Sequence, residues 1–300
     1  MANLAVSSTP AISANYRTGL AFMISATIAW STAGLFTRII PLDSWTMLVW
    51  RGLWGALALC AVMVLLGGFS SLHNFARLGW PGLLYSLVGV AAMLCYITSF
   101  RYTTVAHVAI IYATVPFVAG GLAWFILKEK PSVSAVVSSI IALAGAIGMV
   151  GLGGDGGVLG DLLAFGMTLL MAVIIVIARH YKGIPTMASA ALTAFVSAIV
   201  ALPFARTGQL SFSEISTLAA FGIVNSALGL TLFTLGSRLL PPIETALIGA
   251  LDAPLAPVWV WLFFAETPTK ATLVGGAVVF AAVLSHVALE ARRNQVTAAQ

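Results

Sequence analysis

Apolar residues fall in ten runs, near 18–40, 45–67, 79–99, 104–127, 133–152, 158–178, 186–204, 215–235, 243–264 and 271–289, parted by short segments rich in glycine, proline and charge. A helix of ~20 apolar residues crosses a ~30 Å hydrocarbon layer at ~1.5 Å per residue, so each run predicts a transmembrane helix. Periodicity does not make this assignment, because a helix among lipid and other helices is apolar nearly all round. Length decides it, together with the need to satisfy every backbone hydrogen bond within the segment. A β-barrel would show alternating segments of ~10 residues, and the chain has none.

Composition agrees: 60% of the residues are hydrophobic and 8% charged, against about 25% charged in soluble domains. The ten spans leave no room for an extramembrane domain. The net charge of +5 comes from Lys and Arg scattered at the ends of apolar runs, which reads as membrane topology and not as a nucleic-acid surface. With the N-terminus inside, Arg17, Arg77, Lys128, Lys130, Arg179, Lys182, Arg238, Arg292 and Arg293 fall on inner segments and Arg38, Arg101, Arg206 and Lys270 on outer ones. The positive-inside rule then places both termini, 1–17 and 290–300, in the cytoplasm. Arg51, inside the second run, is set apart as a residue that snorkels or lines a cavity. The first run is longer than a signal core and reads as a retained span. Cys60 and Cys95 lie in apolar runs, so neither a disulfide framework nor a metal site is expected, and no cofactor is implied.

Displacing the chain by 137 residues pairs Arg101 with Arg238, Ala109 with Ala246, Ala113 with Ala250, Trp124 with Trp261, Glu129 with Glu266 and Pro131 with Pro268. An offset of 141 pairs Gly19 with Gly160 and Arg38 with Arg179. Matched Arg, Trp, Glu and Pro in order signal an internal duplication, with repeats at 18–152 and 158–289. Five spans per repeat is odd, so the second repeat enters the membrane from the opposite side. Inverted repeats are the architecture of alternating-access carriers.

The stretch Ser99-Phe-Arg-Tyr-Thr-Thr through Pro116, then Leu127-Lys-Glu129-Lys-Pro131 and the Gly-rich run to Gly151, resembles the repeat unit of the EamA family of the drug/metabolite transporter superfamily. The second half repeats it as Gly236-Ser-Arg238-Leu-Leu-Pro-Pro, Pro254, Ala265-Glu266-Thr-Pro268 and Gly275-Gly276. Within the family the texture is most like the YddG-like amino-acid exporters of bacterial inner membranes. The resemblance implies an all-α protein of ten helices around a central cavity, lined by the third, fourth, eighth and ninth helices with the first and sixth. It also implies export of amino acids, aromatic or other hydrophobic ones first.

Asp252 is the sharpest single residue, nine positions and ~13 Å into its run, where a carboxylate costs ~2.5–3.5 kcal/mol unless it faces water or a partner. It either serves a substrate or a coupling proton, or is a structural aspartate tied to a freed backbone amide or a serine, in a stretch where Pro254 and Pro257 free backbone carbonyls and allow a kink. Glu244 and Trp259 share its helical stripe. Glu244, just after Pro241 and Pro242, reads first as a helix-start acid. His107, its repeat partner, stands in a stripe with Thr103 and Thr114, and binds a substrate carboxylate, relays a proton, or hydrogen-bonds a carbonyl one turn away. Pro116, Pro254 and Pro257 are candidate hinges or static kinks. Trp30 and Ser31 in the first run, Tyr96 in the third and Asn225 in the eighth have small polar neighbours that suit a cavity wall or a helix contact. Trp45, Trp50, Trp54 and Trp80 suit the interfacial belt. Glu129 and Glu266 read as punctuation before a new helix.

None of the four lysines stands in a phosphate-binding glycine loop, so no ATP hydrolysis and no ATPase subunit is implied. The expected function is a secondary transporter of a small organic metabolite, working in the inner membrane with lipid and substrate as its partners. A monomer satisfies this reading, and the sequence does not fix the oligomeric state. The rival is an integral-membrane enzyme or lipid-handling scaffold with an acid/base site around Asp252, His107 and Glu244.

Overall fold

The computed structural model describes residues 14–99, 101–103, 105–150, 157–206, 208, 210–265 and 267–298. Residues 1–13, Phe100, Thr104, Gly151 and Glu266, invoked above, lie outside that set, as do the side chains of Arg292 and Arg293. The described residues form helices and no strand. In chain order the apolar helices are α1 (Asn15–Ile39), α2 (Ser44–Gly67), α3 (Gly79–Ser99), α4 (His107–Leu127), α5 (Val133–Met149), α6 (Val158–His180), α7 (Met187–Phe204), α8 (Phe212–Ser237), α9 (Pro242–Phe264) and α10 (Lys270–Glu290). Nine are long and apolar enough to cross a membrane; α5 is the shorter apolar helix, at the lower limit of ~17 residues for a span.

Local sequence sets the helix ends. The Asp43 carboxylate caps α2 by accepting from the amides of Trp45 and Thr46, both at 3.0 Å. Ser211 and Glu214 form a capping box at the start of α8. Proline opens α9 at Pro242, where no amide is needed. Helices α4 and α9 both end on a left-handed residue that is not glycine, Lys128 (φ 60°) and Ala265 (φ 55°), 137 positions apart like the sequence repeat.

The packing follows the duplication. Helix α2 lies on α7, α4 on α9 and α5 on α10; α3 packs on α6 as α8 does on α1, α4 on α6 as α9 on α1, and α3 on α7 as α8 on α2. Advancing the helix numbers by five turns each of these contacts into another of them. Closest approach is made at small residues: a Cβ on Gly145 of α5 would stand 2.8 Å from the Gly275 carbonyl oxygen of α10, and one on Gly275 2.5 Å from that of Gly145.

Two helices break in mid-membrane at equivalent places. In α4 the helix is interrupted at Ala113 and Thr114, and in α9 at Ala250 and Leu251, again 137 positions apart. Pro116 sits in the first turn after one break and Pro254 in the first turn after the other, each removing an amide donor where the ladder is already interrupted. Helix α8 widens into a π-helical segment over Gly222–Gly229, a local form that recurs at functional sites. The α1 helix is interrupted at Thr32.

Candidate functional site

One end of the bundle is sealed. Tyr16 of α1 donates to Glu244 of α9 at 2.9 Å, and Tyr85 of α3 shares a 2.9 Å hydrogen bond with Thr234 of α8. Arg179, closing α6, holds Glu129 beyond α4 at 3.1 Å and the Arg238 carbonyl beyond α8 at 2.9 Å. Between these ties Met23, Leu240, Leu247, Ile248 and Phe233 are buried together. His286 of α10 is enclosed here too, 3.0 Å from Ser134 of α5 and 3.7 Å from Glu244.

Towards the opposite end the packing gives way to accessible polar groups. Asp252 is the first residue after the α9 break. It is half-buried, and no described residue donates a hydrogen bond to its carboxylate. Tyr96 of α3, 37% exposed, and Tyr112 of α4, half-buried, both stand within electrostatic reach of Asp252. Arg51 of α2 also lies within reach of Tyr96.

The walls are held by aromatic and amide locks. Trp30 of α1 donates from Nε1 to the Asn225 carbonyl at 3.0 Å, and Asn225 returns a bond from Nδ2 to the Trp30 carbonyl at 3.2 Å. The Asn225 Oδ1 then accepts from Arg51 at 3.3 Å. Gly229 makes this possible, since a Cβ there would stand 2.4 Å from Trp30 Nε1. Across the site, Trp259 of α9 donates to Ser31 Oγ at 2.8 Å, and Thr27 of α1 donates to the Ile248 carbonyl of α9 at 3.5 Å, just before the break.

Among the residues expected from sequence, Trp30, Ser31 and Asn225 are joined by the interhelical bonds just described, with Ser31 and Asn225 buried, while Tyr96 and Asp252 are partly exposed and within electrostatic reach of one another. His107 stands at the start of α4, where its Nδ1 lies 3.1 Å from Asp161 of α6, which also accepts from Thr103 at 2.6 Å. Pro116 and Pro254 flank the two breaks, and Pro257 lies inside the second half of α9. Arg51 and Tyr112 were not among the expected binding residues. The signal for Arg51 is present in the sequence, a single arginine six positions after the start of an apolar run; Tyr112 carries none, because its repeat position holds Gly249. Among the described residues no group of three or more His, Cys, Asp or Glu is placed to hold a metal.

The EamA-like transporter family matches twice along the sequence, over residues 17–151 and 158–287. The chain belongs to the EamA-like transporter family. As a member of it the protein is a multi-pass small-molecule transporter of the drug/metabolite transporter superfamily, and the two matches coincide with the two repeats. Members of this family are transporters, not enzymes, which speaks against the enzyme alternative. No curated protein matches this EamA-like chain. A solved structure, described only as "Crystal structure of protein", is similar at a TM-score of 0.78 and 18% identity, over 92% of this chain and 98% of that one. At that identity the likeness establishes the shared fold.

Proposed function

We propose that this protein exports amino acids, hydrophobic and aromatic ones first, by alternating access through the space between α4 and α9. It does so as ten spans in two inverted five-helix repeats, resembling the YddG-like exporters, in the cytoplasmic membrane with both termini inside. The observation that carries the reading is the pair of repeat-equivalent breaks, at Ala113 and Thr114 and at Ala250 and Leu251, flanking polar groups that are accessible from one end and sealed from the other. Two symmetry-related broken helices supply two equivalent ways of opening, one to each side. The lining of Trp30, Tyr96, Tyr112 and Trp259 with few charges suits a zwitterion with an apolar side chain. Proton coupling runs through Asp252, with His107 as a second proton-binding group. The protein works as a monomer in lipid, with its substrate as the other partner.

Uptake into proteoliposomes tests this. Labelled phenylalanine, threonine, glucose and a lipophilic cation are compared with and without a pH gradient. Phenylalanine and threonine are expected above protein-free vesicles and the other two at background. Glucose or cation uptake without amino-acid uptake would assign another substrate class, and a chemically altered product would favour a membrane enzyme.

A further inference from the structure

We infer that Arg51 and Asp252 are the two poles of the substrate site, Arg51 binding the carboxylate and Asp252 the ammonium group of one amino-acid zwitterion; this rests on the amino-acid reading above. Arg51 is a guanidinium inside an apolar helix, and among the described residues no acid pairs with it. Its partners are weak ones: the Asn225 amide oxygen at 3.3 Å, the Met93 sulfur at 3.2 Å and the Phe221 ring at 5.2 Å. Its Nε is enclosed with no partner at all. Arginine carries five donors in a fork that fits a carboxylate. An intramembrane cation with unused donors and no counter-ion is costly until an anion arrives.

Asp252 is the complement: a carboxylate at mid-span, accessible, receiving no hydrogen bond from a described residue. Tyr96 stands within electrostatic reach of both charges, yet the two do not form an ion pair with one another.

The scaffold explains why they stay apart. Arg51 is tethered through Asn225, whose side chain is in turn held by the carbonyls of Ala29 and Trp30 at 3.4 and 3.2 Å. Asp252 is fixed as the first residue of a half-helix. Both are held against the same stretch of α1, Arg51 through Asn225 and Trp30 and Asp252 between the Thr27–Ile248 and Ser31–Trp259 bonds, so a molecule with both charges pairs with each. A ligand with one charge leaves the other pole unpaired, which is the strongest form of discrimination available to a buried polar site.

The test uses purified full-length protein and three ligands of similar shape: phenylalanine, phenethylamine, which lacks the carboxylate, and 3-phenylpropionate, which lacks the ammonium. Thermal stabilisation in detergent reads binding, and inhibition of labelled phenylalanine uptake in proteoliposomes reads transport. For the wild type, half-maximal concentrations for the two single-charge ligands are expected about 10- to 100-fold above that of phenylalanine. Arg51→Gln should erase the preference over phenethylamine alone, and Asp252→Asn the preference over 3-phenylpropionate alone. Should Arg51→Gln not fold, Arg51→Lys, which keeps the charge and loses the fork, is expected to retain part of that preference, and the Asp252→Asn arm still decides.

Equal binding of all three ligands to the wild type, or preferences unmoved by both substitutions, would overturn the proposal. Amino-acid uptake without the crossed pattern would overturn this proposal and leave the transport reading standing. The crossed pattern in binding without amino-acid uptake would support the two poles and refute the exporter. No stabilisation by any amino acid would refute both.

Discussion

Gly229→Ala measures how tightly the wall of the site is built. A Cβ at 229 meets Trp30 Nε1 at 2.4 Å and Cδ1 at 2.6 Å, so the indole must move. The ring is not free to do so: it donates to Asn225 at 3.0 Å and its centroid lies 4.8 Å from that of Phe233. Overpacking of this kind costs about 1–3 kcal/mol, and losing the indole hydrogen bond about 0.5–1.5 kcal/mol. Replacing a helical glycine with alanine returns about 1 kcal/mol. The expected net loss is therefore about 0.5–3.5 kcal/mol, read by unfolding in SDS-containing mixed micelles. The same change in a Trp30→Ala background has no indole to displace. There it should be neutral or stabilising by up to about 1 kcal/mol, giving a coupling of about 2 kcal/mol in the double-mutant cycle. Because Asn225 also holds Arg51, Gly229→Ala should lower phenylalanine uptake while Gly229→Ala with Trp30→Ala does not fall further below Trp30→Ala alone. Equal destabilisation by Gly229→Ala in both backgrounds would refute the reasoning, since the cost would then not come from Trp30.

Asp252→Asn should reduce amino-acid uptake at least about 10-fold and remove what response to a pH gradient remains, measured in proteoliposomes; unchanged uptake with an unchanged gradient response would remove Asp252 from both binding and coupling. Tyr16→Phe takes one tie from the sealed end and should raise labelling of a cysteine placed nearby at Leu247, which is fully buried; no change in labelling would mean the bond does not hold that end shut. Asp43→Ala should cost about 0.5–2 kcal/mol by uncapping α2. Burial alone would raise the Asp43 pKa, but bonds from Thr46 and Trp45 outweigh it and hold the carboxyl below its ordinary range. Its share of stability is therefore present above about pH 4 and lost as pH falls through the lower folded-state value, so wild type and Asp43→Ala should converge in acid unfolding.

Most of the architecture was legible in the sequence because bilayer thickness and backbone hydrogen bonding leave little choice for long apolar runs. The duplication was legible too: the 137-residue offset that aligns Trp124 with Trp261 also aligns the helix breaks and the left-handed caps at Lys128 and Ala265. What the offset did not give was the tertiary use of single residues. Asp252 was conspicuous by depth alone. Arg51 lies less deep, and an arginine near a helix start also serves topology by snorkelling; only its weak partners distinguish the two uses. The tie of His107 to Asp161 and that of Trp30 to Asn225 join helices far apart in sequence, and no spacing within one helix reports them. Likewise Glu244 read as a helix-start acid, whereas its Tyr16 bond places it in the seal.

The proposed alternating access requires the sealed end to open for substrate to cross. Gly120 of α4 and Ile243 of α9 face one another across that end, with a Cβ on Gly120 3.4 Å from that of Ile243, close to the ~3.5–4.5 Å a disulfide requires. Cysteines at both positions, with Cys60 and Cys95 replaced by alanine, should cross-link on oxidation. Phenylalanine uptake should then stop and return on reduction, while thermal stabilisation by phenylalanine persists in the cross-linked protein. Uptake at the unmodified rate with the cross-link complete would contradict the account.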